Sequence, residues 1–144
     1  MTRLALALVL AAAVTGCGKD ATTPTSASTP TGAALTATRL FSGTLAARDT
    51  QFYSFTVAQQ SGVFVTLASV TATDNRAATT TSVGIGLGVP RGTECAMSTR
   101  AVVTSALTPQ VREIVAPGVH CVAIYDPGTL PAAVNYAVRI GYFQ

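Results

Sequence analysis

Apolar and polar residues alternate in steps of two through most of this chain, and that period leaves little choice of secondary structure. Between Thr50 and Ala58, Tyr53, Phe55 and Val57 fall on one face and Ser54 and Thr56 on the other. The closing segment repeats the pattern with Tyr136, Val138, Ile140 and Tyr142. Successive side chains of a strand point to opposite faces, so strict alternation marks a strand with one buried side. No stretch of useful length carries the period of an amphipathic helix. An all-β fold is expected, and a composition rich in Thr, Val and Ala, poor in aromatics and without Trp agrees with it.

Turn signals divide the region into seven to eight short strands. Leu40 to Leu45 opens it, and Ala46 to Asp49 makes a turn into the Thr50 to Ala58 strand. Ser61-Gly62 reads as a second turn, followed by Val63, Val65 and Leu67 in alternation, so these two runs are expected to pair as a hairpin. Thr71 to Ser82 is a polar loop bending at Asp74-Asn75.

In Val83 to Val89, aliphatic residues alternate with Gly84, Gly86 and Gly88. Glycine inside a strand marks a bulge or a close approach, so these should make room for neighbouring aromatics or an edge bend. The functional counterpart is a flat exposed strip along which a partner chain would lie. No helix follows, which excludes a phosphate-cradling loop. Pro90 to Thr99 is expected as a loop carrying Cys95, with strands at Ala101 to Leu107 and Val111 to Ala116. Val119 to Tyr125 is apolar on both faces and should be central in its sheet. Strands so spaced indicate an antiparallel β-sandwich. Its expected core is Phe41, Tyr53, Phe55, Val65, Leu67, Ile85, Leu87, Val122, Ile124, Tyr136, Val138 and Ile140.

Ahead of this domain, Arg3 and the apolar run Leu4 to Val14 have the layout of a signal peptide over residues 1–16. The run is about half the ~20 residues a spanning helix needs. Val14-Thr15-Gly16-Cys17 resembles a bacterial lipobox, which implies lipidation of Cys17 and a membrane anchor of more than one acyl chain. Gly18 in place of Asp favours the outer over the inner membrane by the same analogy. Residues 17–37 are rich in Thr, Ser, Ala and Pro with no apolar periodicity, and read as a disordered linker to a domain at 38–144.

Phe41-Ser42-Gly43-Thr44-Leu45, Asp49 and Phe52-Tyr53-Ser54-Phe55-Thr56-Val57 resemble the opening of the bacterial pre-peptidase C-terminal domain, a jelly-roll-like β-sandwich. Ala116-Pro117-Gly118-Val119 with Cys121 to Tyr125, and Asn135 to Ile140, resemble its last two strands. Such domains are commonly appended to secreted peptidases. The resemblance implies substrate or matrix binding, and in some members calcium. No attached peptidase is expected here, and the Val and Gly alternation of Val83 to Val89 stands where acidic residues are common in the family.

The chemistry-bearing residues are few. With a formal net charge of +3 and no basic cluster, nucleic acid is not an expected partner. Setting Cys17 aside for lipid leaves Cys95 and Cys121, an even pair in an oxidising compartment and the natural disulfide. His120, the single histidine, is expected to be partly exposed, and as the neighbour of Cys121 on a strand it points to the other face. One His and two Cys make no convincing zinc site. No Gly-x-Ser-x-Gly elbow presents a nucleophile, so no enzyme and no cofactor are expected. Asp49, Asp74 and Asp126 sit at turns where an Asp caps its own backbone, Asp49 and Asp126 being the weak calcium candidates. The resulting expectation is a non-enzymatic envelope lipoprotein whose sandwich binds polysaccharide or an envelope protein. The alternative is an accessory or inhibitory domain for a separately encoded secreted peptidase.

Overall fold

The computed structural model describes residues 37–143, in which eight antiparallel strands account for the regular structure. The expected signal peptide, Cys17 and nearly all of the expected linker lie outside the described residues. The strands are β1 (Ala37–Leu45), β2 (Thr50–Val57), β3 (Ser61–Ala72), β4 (Val83–Arg91), β5 (Glu94–Val103), β6 (Val111–Val115), β7 (Gly118–Tyr125) and β8 (Val134–Tyr142). They form two four-stranded sheets, ordered β1-β8-β3-β6 and β2-β7-β4-β5. Apart from the β4–β5 hairpin, every connection passes from one sheet to the other, giving the double Greek key of a jelly roll. The expected sandwich is thus the observed one.

Alternation decides which side chains meet between the sheets. Leu45, Val65, Leu67, Val138 and Ile140 of the first sheet face Phe55, Val57, Ile85, Leu87, Val122 and Ile124 of the second, all buried. Each such side chain contributes about 1.5–3 kcal/mol when fully removed from water. Of the expected core, Phe41 and Tyr53 are only partly buried and pack at its rim. The Val119 to Tyr125 segment lies between β2 and β4, central as its two apolar faces require.

Three local expectations are corrected. β2 and β3 do not form a hairpin, for β2 pairs only with β7 and β3 lies between β8 and β6. The common three-residue hairpin loop places one residue in the left-handed region, and none of Ala58, Gln59 and Gln60 is there. Ser61-Gly62 is therefore no turn but the start of β3, opposite Val115 and Ile114. Nor is Pro90 to Thr99 a loop, since β4 and β5 meet there in a hairpin turning at Gly92 with φ 61°. Pro90 near the end of β4 and a bulge that leaves Ser98 unpaired hide the strand pattern.

Candidate functional site

The sulfur and imidazole chemistry is absorbed by the fold. Cys95 and Cys121 are joined, with their Cα atoms 5.9 Å apart. Cys121 points outward from β7 and His120 inward, as adjacent strand residues must. His120 is buried at 8% exposure rather than partly exposed, because its ring packs on Phe55 at 6.0 Å and its Nε2 hydrogen-bonds to Ala116 O at 2.8 Å. Among the described residues no Ser, Thr or Cys side chain is hydrogen-bonded to it.

Asp49 and Asp126 are brought together, as a latch between the β1–β2 turn and the β7–β8 loop. Asp126 N–H donates to Asp49 O at 3.0 Å. Asp126 Oδ2 accepts from Arg48 N at 2.7 Å, and Oδ1 accepts from the N–H groups of Gly128, Thr129 and Leu130. The Arg48 N–H foremost, helped by those of Thr129, Leu130 and Gly128 and opposed by partial desolvation, holds the Asp126 carboxyl below its ordinary value. Asp49 accepts from Thr50 N and Gln51 Nε2. All four carboxylate oxygens of the pair thus accept hydrogen bonds. Among the described residues, no three His, Cys, Asp or Glu side chains gather into a metal cage.

The glycine strand is not an exposed strip. β4 is an interior strand, and a Cβ on Gly84 would come 2.2 Å from the Tyr125 ring, while one on Gly88 would come 2.0 Å from Ala96 O. Gly86 makes the same kind of room for Met97. The outer face of the second sheet is thus closed by its own Tyr125, Met97 and disulfide, the structural one of the two expected readings.

The outer face of the first sheet is open instead. Cross-strand register sets Thr44, Asn135 and Thr71 in one row and Ser42, Ala137 and Ser69 in the next. These short side chains, all polar but Ala137, floor a groove of about 500 Å3, with Arg76 of the β3–β4 loop at its rim. Arg76 is held there in a left-handed conformation, φ 57°, its N–H donating to Ala72 O. Thr44 Oγ1 donates to Asn135 Oδ1 at 2.8 Å, which fixes the amide in the floor. The groove can offer hydroxyl, amide and guanidinium donors to a ligand rich in oxygen. None of these residues was a candidate binding residue in the sequence, where a Thr or Ser on a solvent face signals nothing until register places it beside others.

A second cleft, of about 440 Å3, opens between the free edges of β1 and β2, lined by Arg39, Phe41, Ser54, Phe55, Thr56 and Tyr142. Above it Tyr53 bridges the two sheets. Its ring stacks on Phe41 at 4.5 Å, and its hydroxyl donates to Ser42 O and accepts from Tyr136 Oη at 2.7 Å. Burial first, and then the bond to Tyr53, push the Tyr136 phenol above its ordinary pKa. Gly43 allows this meeting, for a Cβ there would stand 2.8 Å from Tyr136 Oη.

What these features define as a class is a jelly-roll β-sandwich with a polar groove on one sheet. No protein-family model matches the chain, and no curated protein does. Among solved structures it is similar to PliG of Aeromonas hydrophila, a periplasmic inhibitor of g-type lysozyme, at 12% identity and a TM-score of 0.48. That match covers 73% of this chain and 85% of that one. It is also similar to PliG of Salmonella Typhimurium, likewise a periplasmic inhibitor of g-type lysozyme, at 17% identity and a TM-score of 0.45, over 73% of this chain and 90% of that one. Likeness at this level carries no information on ligand or partner.

Proposed function

We propose that this protein is a non-enzymatic lipoprotein of the bacterial envelope, anchored through Cys17, whose jelly roll is a binding module for a hydroxyl-rich polymer, a polysaccharide. The observation that carries the reading is the groove floored by Ser42, Thr44, Ser69, Thr71 and Asn135 under Arg76. Paired strands hold these donors and acceptors in place, so little conformational entropy is lost when a ligand docks. The non-enzymatic part is supported by the engagement of Cys95, Cys121 and His120 in structural bonds. Anchoring is supported by the resemblance of Val14-Thr15-Gly16-Cys17 to a lipobox.

Two experiments test the two halves. Labelled palmitate should enter the full chain in a bacterial host and be lost in Cys17→Ser; labelling that survives this change would remove the anchor from the proposal. Retention of the full chain on insoluble polysaccharides and peptidoglycan should fall in Asn135→Ala and in Arg76→Gly, a replacement that keeps the left-handed backbone at no steric cost. Equal retention of both variants would remove the groove from the proposal. Capture of a secreted peptidase in place of a glycan would support the accessory-domain alternative.

A further inference from the structure

The four edge strands of the sandwich are protected unequally. An edge presents unpaired N–H and C=O groups, and proteins block it with short length, bulges, proline or inward-pointing charge. β6 has only five residues and turns Glu113 inward, opposite Val63. β5 carries the Ser98 bulge. β1 turns Arg39 inward, opposite Ile140.

β2 has none of these devices. Thr50-Gln51-Phe52-Tyr53-Ser54-Phe55-Thr56-Val57 contains no charge, proline or glycine, and it pairs with β7 through all eight positions without a register shift. Its β-branched and aromatic residues have high strand propensity. Left bare, such an edge is a template for another strand.

Beside it lies the cleft with Phe41, Phe55 and Tyr142 as an apolar floor and Arg39 as the one charged residue of its lining among the described residues. We infer that the free edge of β2 and this cleft form a docking site for an extended acidic segment of a partner protein, which adds to the second sheet as an extra strand. Main-chain hydrogen bonds along β2 supply affinity, and the side chains that fall over the cleft supply selection. Arg39 and Phe41 stand two residues apart on one face of β1, so the segment fits best with an acidic and an apolar residue two apart.

Charge decides against a second copy of this chain as the occupant. β2 carries no acid, so pairing two β2 edges would place two Arg39 guanidinium groups in one interface with no carboxylate from either strand. The inference rests on the reading of the domain as a binding module but not on the saccharide groove, which lies on the outer face of the other sheet.

The test uses the full chain in detergent and a blocked peptide of alternating valine and threonine with one central glutamate. Added peptide should slow amide exchange within Thr50–Val57. Arg39→Glu should weaken binding about tenfold or more. An N-methylated peptide, which cannot pair its backbone, should not bind. Protection at β1, β5 or β6, or equal binding of the lysine counterpart of the peptide, would overturn the assignment. So would concentration-dependent dimers protected at β2, which would make the edge a self-pairing surface. Retention on polysaccharide, measured on the same preparations, separates failure of this site from failure of the groove.

Discussion

On each open side of the sandwich an edge strand turns a charged residue toward the core, Glu113 on one and Arg39 on the other, and among the described residues only Glu113 is hydrogen-bonded there. On the β5/β6 side, Glu113 Oε2 accepts from Ser98 Oγ at 2.8 Å and from Thr99 Oγ1 at 2.7 Å, so the edges of the two sheets are bonded across the gap. The bulge that interrupts β5 is what places both hydroxyls within reach. On the β1/β2 side, Tyr53 closes the upper half, and below it Arg39 lines a cleft in which no carboxylate stands among the described residues. An inward charge blunts an edge in both places. Where it is bonded it also shuts the side, and where it is not it leaves a receptive one.

The largest test of this contrast is the disulfide, which ties the edge strand β5 to the central strand β7. Its ends are 26 residues apart, so on the chain-entropy model Cys95→Ser with Cys121→Ser costs about 3.5 kcal/mol. For a domain of this size that is a fall of roughly 15 °C or more in Tm. Scanning calorimetry of the double variant against the parent checks it, and an unchanged Tm would show that the closed side does not depend on the bond. Glu113→Ala comes next. It removes both cross-gap bonds and should cost about 1–2 kcal/mol, less than a buried charged pair because Glu113 is half exposed. Amide exchange should rise in β6 and at Ser98–Thr99 and stay unchanged in β1 and β2.

How far the sequence discloses this contrast differs from one element to the next. β2 and β8 are legible because alternation is a local property and each strand keeps it without interruption. β5 is not, because Pro90, Gly92 and the Ser98 bulge break the period that would identify it. Partition between sheets is also hidden: Phe55 and Val65 both look like core residues, and neither reports that their strands stand in different sheets. The groove fails for the same reason, since Ser42 and Ser69 become neighbours across β8 only through register. Arg39 looks like any exposed arginine until its pairing with Ile140 shows which face it shares.

A smaller effect is expected at the rim of the open side, where Asp126 latches the β1–β2 turn. Its folded pKa lies below the ordinary carboxylate value, chiefly through the Arg48 N–H. The ionised form is therefore favoured by folding, and the contribution is complete above the unfolded value of 3.8 and lost as pH falls through the folded value. Acid titration of Tm should lose part of its slope in Asp126→Asn, and parallel curves would show that the latch does not carry it.

The smallest effect belongs to Arg39, and its smallness is the point. A charge that shuts an edge, as Glu113 does, must weaken the fold when removed, whereas a charge kept for a partner need not. Arg39 is exposed despite its core-facing register, and among the described residues no Asp or Glu lines its cleft. Arg39→Ala should then leave stability within about 0.5 kcal/mol of the parent, the ordinary range for a surface substitution. Denaturant unfolding of Arg39→Ala and Glu113→Ala side by side gives the contrast directly. Equal losses would mean that the open side is held shut by a contact of Arg39 and that the cleft is no receptor. A loss at Glu113 alone would mean that the sandwich spends one inward charge on its own closure and holds the other free.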